Sequence, residues 1–185
     1  MPMKTFDIHT SEIRKYIPEM TVGDRVLLTG TVYTARDAAH KELFHLLDEG
    51  AELPFELRDA VIYYAGPTPA KDDCATGSCG PTTSSRMDGF APRLYTLGLA
   101  ATIGKGDRNQ AVIDSIVENG AVYLCAVGGA GALISKHIKS AEEIAFAHLG
   151  CESVKKLTVN KLPLTVGLDS HGGNIFKEAR EKYKK

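Results

Sequence analysis

The chain has 185 residues, of which 43% are hydrophobic and 24% are charged, and its formal net charge is −1. This length and composition are typical of one globular domain that is large enough to bury a core. The balanced charge argues against a nucleic-acid or anionic-membrane partner, because such partners select a strongly basic surface. No run reaches the ~18 apolar residues of a membrane helix. The charged first residues also lack the apolar segment of a signal peptide, so we expect a cytoplasmic protein.

The cysteines give little support for a disulfide or metal scaffold. They are Cys74, Cys79, Cys125 and Cys151, which is too few and too scattered for a disulfide framework in a chain of this length. Cys125 lies in an apolar, strand-like run, where cysteine is usually a small core residue. Three of the four could in principle bind an iron–sulfur cluster. An enzyme with a metal on its own cysteines therefore stays an alternative at this point.

The first third of the chain predicts alternating strands and helices. A short strand at residues 4–9 precedes a short helix at 11–18, which Pro18 closes. A β-branched strand with an internal glycine follows at 25–34. It leads directly into a helix at 37–49 that has apolar residues on one face and Gly50 as its C-cap.

The middle of the chain predicts two further strands separated by an irregular helix. Residues 61–65 are an apolar strand, and a loop rich in proline and glycine extends from 66 to 81. A helical segment begins near Ser84 and is interrupted where glycine and proline follow. Residues 99–103 form a fully apolar strand.

The last part of the chain predicts three more strands among helices. Asp107 and Gln110 have the spacing of a capping box for a helix through Val117. An apolar strand at 121–127 leads into a glycine-rich turn. We predict a helix at 140–149, strands at 155–160 and 164–169, and a charged terminal helix at 175–185. The alternation indicates the α/β class, with a mixed sheet in a single domain that covers residues 1–185.

One loop has the composition of an anion site. The sequence Cys-Gly-Pro-Thr-Thr-Ser-Ser-Arg-Met-Asp at residues 79–88 places four hydroxyl side chains and Arg86 at the start of a helical segment. First-turn N–H groups and the helix dipole favour negative charge there, and a guanidinium adds a full charge. Serine and threonine are also common N-caps. From the residues of this loop alone, an anion site and a helix cap are equally supported.

Two other predicted strands also end next to a cation. Arg36 follows the strand at 25–34, and Lys105 follows the strand at 99–103. Loops at the ends of strands commonly bind ligands in α/β proteins. With Arg86, these side chains suit a small dianion such as a dicarboxylate, because arginine binds carboxylate in a two-pronged geometry.

Five segments together resemble one family: residues 34–41, 65–69, 80–88, 104–106 and 128–132. They are similar to the C-terminal half, or β subunit, of the iron–sulfur-dependent class I fumarases, which is shared with the L(+)-tartrate dehydratase β subunit. The most specific segment is Gly-Pro-Thr-Thr-Ser-x-Arg-Met-Asp at residues 80–88. Ser85 stands where relatives commonly have glycine, and this difference leaves the substrate open.

The resemblance implies a two-subunit hydro-lyase. A swivelling β/β/α domain would pack against an α subunit that carries a four-iron four-sulfur (4Fe-4S) cluster, with the active site between the two. β–β contacts would join the subunits into a heterotetramer. The implied reaction is the reversible hydration of fumarate to (S)-malate.

The resemblance also implies roles for individual residues. Arg36, Arg86 and Lys105 would bind the substrate carboxylates, and Thr83 would hydrogen-bond them. Thr82 matches the threonine that accepts the substrate proton in the family. A threonine hydroxyl is a weak base, so this role requires cations beside it.

Two more residues would act through Arg36. The resemblance implies that Asp37 and His40 orient its guanidinium, although His40 alone also suits a partly buried histidine on a helix. Two functional alternatives remain at this stage. The chain could be the β subunit of an L(+)-tartrate dehydratase, or an anion-binding module without catalysis.

Overall fold

The structure is a computed structural model that describes residues 3–70, 74–182 and 184. Its strands are β1 (Thr5–His9), β2 (Arg25–Thr34), β3 (Val61–Tyr63), β4 (Ala101–Gly104), β5 (Val122–Cys125), β6 (Ile138–Ala145) and β7 (Val154–Leu168). Its α-helices are α1 (Ile13–Tyr16), α2 (Asp37–Glu49), α3 (Ala91–Thr96), α4 (Gln110–Glu118), α5 (Gly131–Ser135) and α6 (Ile175–Lys182). The 3₁₀ segments of the described residues are Thr10–Glu12, Ile17–Glu19, Ser84–Met87 and Ala147–Glu152.

The strands form one sheet in the order β1-β2-β3-β4-β5-β7-β6, and β2 also pairs with β7. Strands β2 to β5 are parallel to one another, whereas β7 is antiparallel to both β5 and β2. The pairings β2-β3-β4-β5-β7-β2 therefore close into a ring of five strands. The predicted α/β class with a mixed sheet is confirmed. The extent of the domain over residues 1–185 stays a prediction.

The core has two parts because side chains alternate across the strands. One part joins apolar residues from all the ring strands, among them Val26, Tyr63, Ile103, Leu124 and Leu164. The other part lies between the opposite face of the sheet and the helices, and it includes Leu43, Ile62, Leu94, Ile116 and Tyr123. The parallel strands therefore bury both faces, which explains their continuous apolar sequences.

Several predicted elements are confirmed closely. The strand at 25–34 and the helix at 37–49 have the predicted bounds, and Gly50 is in the left-handed conformation at φ 68. The irregular helix near Ser84 is a 3₁₀ turn followed by α3. The terminal helix is described as far as Lys182. The prediction extended it to residue 185, but Tyr183 and Lys185 lie outside the described residues.

The predicted helix at 140–149 is wrong, because residues 138–145 form strand β6. The sequence Ser-Ala-Glu-Glu has capping-box spacing, but β6 pairs antiparallel with β7. This pairing places Glu142 opposite Lys156 and Glu143 opposite Lys155. Opposite charges across a pair of strands stabilise the sheet. Tertiary pairing therefore overrides a local helix signal.

Strand β7 and helix α4 also differ from the sequence prediction. The two late strands are one strand, β7, in which Lys161 adopts φ 50 where the pairing with β2 shifts register. Helix α4 is capped by Asn109 rather than Asp107, because Asn109 Oδ1 accepts the N–H of Val112 at 3.0 Å. Within the described ranges, no helix is long and apolar enough to cross a bilayer. The cytoplasmic location stays a prediction.

Candidate active site

The carboxyl ends of the parallel strands bring three loops to one edge of the sheet. Thr82 N donates to Tyr64 O at 2.7 Å, so the loop after β3 returns to the end of its own strand. Ser84 N donates to Lys105 O at 2.9 Å, and Thr83 forms an isolated parallel bridge with Lys105. These backbone contacts place the hydroxyl-rich loop beside the loop after β4.

Arg36 lies beside Thr82 at this edge. Its Nη1 is 3.5 Å from Thr82 Oγ1, and its Nη2 donates to Glu152 Oε1 at 2.5 Å. The hydrogen bond to Glu152 raises the pKa of Arg36, and the hydrogen bond from Arg36 lowers the pKa of Glu152. Both side chains therefore stay ionised at neutral pH. The predicted neighbours Arg36 and Thr82 are brought together.

Glu152 is a site residue that sequence reasoning missed. It ends the 3₁₀ segment Ala147–Glu152, and its Oε2 also accepts the N–H of Ala38 in the first turn of α2 at 3.2 Å. Carboxylates are favoured at a helix N-terminus, where N–H groups lack partners. No local motif connects Glu152 with Arg36, because the contact depends on how the segment between β6 and β7 packs.

Arg86 binds Asp37 rather than standing free. Arg86 Nε donates to Asp37 Oδ1 at 2.8 Å, and Arg86 Nη2 lies 2.8 Å from Asp37 Oδ2. The Arg86 side chain is 51% exposed. Asp37 therefore orients Arg86, whereas the sequence prediction assigned it to Arg36.

Lys105 adds a third cation, for which the described residues show no ionic partner. Its side chain lies against Gly128, where a Cβ would be only 3.3 Å from Lys105 Cδ. Within the described residues, no carboxylate pairs with the ammonium of Lys105. Because Arg36 and Arg86 each have a carboxylate partner, Lys105 supplies the unbalanced positive charge at this edge.

The hydroxyl groups of the loop have different roles. Ser84 is buried and lies 2.9 Å from the hydroxyl of Tyr123, which itself donates to Gly106 O at 2.8 Å. Ser84 therefore donates to Tyr123 and has a structural role. Thr83 is the N-cap residue of Ser84–Met87, yet within the described chain its side chain makes no capping hydrogen bond. Thr82 is half-buried and Thr83 is exposed, so both hydroxyls remain available to a ligand.

His40 is fully buried behind Arg36. Its Nδ1 lies 3.0 Å from Arg36 O, so the Nδ1–H donates to this carbonyl. Burial lowers the pKa of His40 to about 4, and the ring is therefore neutral at physiological pH. His40 thus contacts the backbone of Arg36, and its role in orienting the Arg36 guanidinium stays a prediction. Its packing against the rings of Tyr64 and Phe90 also makes it a core residue.

A buried ion pair connects the loop after β3 with the loop after β4, and sequence reasoning also missed it. Arg108 Nε donates to Asp88 Oδ1 at 2.6 Å, and Asp88 Oδ2 accepts the N–H of Asn109 at 2.8 Å. The guanidinium carbon of Arg108 lies 5.4 Å from the ring centroid of Tyr64 and 5.1 Å from that of Tyr123. Asp88 ends the hydroxyl-rich motif, and Arg108 follows the Lys105 loop. The pair therefore fixes one loop relative to the other.

The thiols of the chain do not fit an iron–sulfur cluster. Cys79 is buried and burial raises its pKa to about 12, while burial raises the pKa of Cys125 to about 11. Metal ligation requires the thiolate, which both environments disfavour. Cys74 and Cys151 are exposed. In the part of the chain that the structure describes, no group of three or more His, Cys, Asp or Glu residues suits a metal ion.

The fold and the site define an α/β domain in which two paired arginines, a lysine and two threonines lie in the loops after the parallel strands. A family profile described as "Fumarase C-terminus" matches residues 2–179. The chain belongs to this family.

Named relatives fall into two groups by length. "Putative L(+)-tartrate dehydratase subunit beta" of Methanocaldococcus jannaschii is 38% identical over 175 residues, which cover 91% of this chain and 90% of the relative. "Fumarate hydratase class I, anaerobic" of Escherichia coli is 36% identical, over 92% of this chain and 32% of the relative. "Fumarate hydratase 2" of Leishmania major is 36% identical, over 89% of this chain and 29% of the relative. The chain thus spans about a third of the fumarate hydratases that it matches.

Proposed function

We propose that the chain is the β subunit of a two-subunit hydro-lyase that hydrates fumarate reversibly to (S)-malate. The observation that carries the proposal is the contact between Arg36 Nη1 and Thr82 Oγ1 at 3.5 Å, in a loop whose next residue, Thr83, pairs with the backbone of Lys105. This geometry offers a dicarboxylate two cationic groups and a hydroxyl at one edge of the sheet. The hydro-lyase class of the proposed reaction agrees with the hydratase and dehydratase names of the relatives.

Arg36 and Lys105 bind substrate carboxylate in this proposal, and the exposed Thr83 donates a further hydrogen bond. Arg86 uses Nε and Nη2 on Asp37, which leaves its Nη1 to reach the substrate from the exposed side. The carboxylates are the negative groups that such donors recognise. Binding at both ends would orient the substrate carbons against Thr82.

In the dehydration direction of the proposed reaction, the alkoxide of Thr82 accepts the proton from the C–H of (S)-malate and becomes the hydroxyl; in the hydration direction, this hydroxyl returns the proton to fumarate. The alkoxide form of threonine needs stabilisation, and the positive charge of the neighbouring Arg36 guanidinium provides it. The Nη1–Oγ1 separation of 3.5 Å is long for a hydrogen bond, and such contacts often tighten only in the substrate complex. His40 supports the backbone of Arg36 from behind.

We place the 4Fe-4S cluster on an α subunit, because the thiols of this chain do not fit it. A Lewis acid assists loss of hydroxide from a hydroxy acid. The match to a relative named as a subunit beta, and the one-third coverage of the fumarate hydratases, support a partner that completes the enzyme. β–β contacts in a cytoplasmic heterotetramer belong to the same proposal.

Anaerobic reconstitution tests the proposal directly. The purified chain alone should be inactive, whereas the chain combined with its α subunit, iron and sulfide should hydrate fumarate. The assay includes (S)-malate and L(+)-tartrate, with the α subunit alone as the control. A cluster-loaded complex that turned over none of the three acids would contradict the assignment as a hydro-lyase of dicarboxylates.

The second candidate substrate is L(+)-tartrate. It is favoured by one observation, which is that the relative of matching length is named as a tartrate dehydratase subunit. Dehydration of tartrate without hydration of fumarate would select this candidate. Dicarboxylate binding by the loaded complex without turnover would instead indicate a non-catalytic anion module.

A further inference from the structure

Glu152 contacts the candidate site through both of its carboxylate oxygens. One oxygen accepts Arg36 Nη2 at 2.5 Å and the other accepts the N–H of Ala38 at 3.2 Å. The first contact is a charge-assisted hydrogen bond, which is short and strong compared with a neutral one. The second contact joins Glu152 to the first turn of α2. The carboxylate is therefore held in place by a contact that does not involve the guanidinium.

The guanidinium of Arg36 is confined on more than one side. A Cβ at Gly66 would lie 3.1 Å from Arg36 Nη1 and 3.1 Å from Cys151 O, so a side chain at this position would require the guanidinium or this carbonyl to shift by a few tenths of an ångström. The side chain of Arg36 is 25% exposed, and that of Glu152 is 22% exposed. With Nη2 bound to Glu152, Nη1 is the donor directed at Thr82. An arginine without such support would lose this orientation among its many rotamers.

We propose that Glu152 is a positioning residue that holds Arg36 with Nη1 against Thr82 and the substrate carboxylate. The inference rests on the proposed function for its catalytic consequence, since Glu152 itself touches neither substrate nor proton. The carboxylate of Glu152 also reduces the positive charge that Arg36 can offer to a substrate. Glu152 neutralises one end of the guanidinium, and the other end faces Thr82.

A double-mutant cycle in the assembled α–β enzyme tests the coupling. Glu152→Ala should lower kcat/KM about 100-fold, because a misplacement of about 1 Å has an effect of that size. Glu152→Gln keeps one acceptor oxygen for Arg36 and should lose less activity. Arg36→Ala should lose more, and Glu152→Ala should then cost little further in the Arg36→Ala background. Additive losses in the double variant would overturn the proposal.

Glu142→Ala is the matched control. Glu142 is an exposed glutamate on the neighbouring strand β6, opposite Lys156. It makes no contact with Arg36 among the described residues, so kcat/KM should be unchanged. An equal loss in Glu142→Ala and Glu152→Ala would contradict a specific role for Glu152.

Chemical modification of Arg36 gives a second measurement that does not need activity. An arginine-specific dicarbonyl reagent is applied to the chain, and the rate at Arg36 is read by peptide mass spectrometry. Glu152→Ala should raise this rate several-fold relative to the wild type, and Glu142→Ala should not. Equal rates in all three proteins overturn the inference even where the enzyme is active. If the wild-type complex turns over no dicarboxylate, the proposed function fails, and the modification rates still decide whether Glu152 holds Arg36.

Discussion

Arg86 is exposed yet held by two contacts with one carboxylate, which distinguishes it from a surface arginine. Arg86→Lys keeps the charge but loses the planar fork that binds Asp37 and that would, in the proposed function, also bind the substrate. We expect kcat/KM of the assembled enzyme to fall about 100-fold through lost positioning. The free energy of unfolding should change by less than about 1 kcal/mol, because exposed ion pairs contribute little. Steady-state kinetics and urea unfolding measure the two quantities.

Arg93→Lys is the control for this substitution. Arg93 on α3 also pairs with an aspartate, Asp48, and its side chain is 44% exposed. It lies outside the candidate site, so its replacement should leave both kcat and KM unchanged. Unchanged kinetics in Arg86→Lys as well would remove Arg86 from the site.

His40 should make the stability of the chain depend on pH. Its folded pKa of about 4 is below the ordinary value of 6.5, so between these values the unfolded state binds more protons. Stability therefore falls as pH decreases through this window. From pH 7 to pH 5, we expect His40 to contribute a loss of about 2 kcal/mol in the free energy of unfolding.

Urea unfolding of the wild type and of His40→Gln at the two pH values measures this contribution. His40→Gln should be less stable than the wild type at pH 7. Its free energy of unfolding should fall less than that of the wild type when the pH is lowered from 7 to 5. His45→Gln, at an exposed histidine of the same helix, should keep the wild-type pH dependence. An identical pH dependence in all three proteins would mean that His40 is not buried as a neutral ring.

At the scale of residues, the sequence identified the side chains that carry a recognisable motif. Arg36 contacts Thr82, and the backbone of Lys105 pairs with Thr83, while the roles assigned to these side chains stay a prediction. Glu152 and Arg108 could not be found in this way. Both act through contacts with residues distant in sequence, and a lone glutamate or arginine has no local pattern that reveals its partner.

The Asp88–Arg108 pair acts at the scale of elements, since it connects the 3₁₀ segment Ser84–Met87 with the start of α4. The side chain of Arg108 is 0% exposed and that of Asp88 is 8% exposed. Asp88→Asn leaves the buried guanidinium without its counter-ion. We expect a loss of about 3–5 kcal/mol in the free energy of unfolding, the range for a broken buried pair. Denaturant unfolding at neutral pH measures it.

Asp7→Asn is the matched control for the buried pair. Asp7 pairs with Lys161, and both side chains are more than half exposed, at 52% and 59%. The free energy of unfolding of Asp7→Asn should be within about 1 kcal/mol of the wild-type value. Equal effects of the two aspartate substitutions would contradict the structural importance of the Asp88–Arg108 pair.

Elements with a long periodic pattern were predictable, and elements set by pairing were not. Strand β2 alternates buried and less buried residues along its whole length, and α2 has one apolar face with a glycine cap. Strand β6 has neither pattern, because it lies at an edge of the sheet with much of its length exposed. Its conformation comes from hydrogen bonds with β7, which a local reading of Ser140–Glu143 does not contain.

The closed ring is a property of the whole molecule that the sequence did not reveal. Alternating strands and helices predicted an α/β domain with a mixed sheet, and strands β2 to β5 are the parallel part of this sheet. Closure depends on β7 pairing with β2 along Arg25–Thr34, across more than half the chain. Such long-range register leaves no local signature. The continuous strand across Lys161 was accordingly predicted as two separate ones.

Ring closure implies that the chain unfolds as one cooperative unit. The chain contains seven tyrosines and no tryptophan, and Tyr63, Tyr64, Tyr95 and Tyr123 are fully buried. Tyrosine fluorescence therefore reports the core, and far-UV circular dichroism reports the backbone. We expect the two urea transitions to coincide, as two-state unfolding requires.

A cavity in the ring should shift both transitions together. Leu162 on β7 is 0% exposed. Leu162→Ala should lower the free energy of unfolding by about 2–5 kcal/mol. Both transitions should shift, although Leu162 lies far from β4 and β5 in sequence. Leu133→Ala, at a side chain that is 63% exposed, should leave both transitions nearly unchanged. If Leu162→Ala moved the circular dichroism transition but not the fluorescence transition, the chain would contain separate folding units. The prediction of a single domain over residues 1–185 would then be wrong, because β7 would not couple the beginning of the sheet to its end.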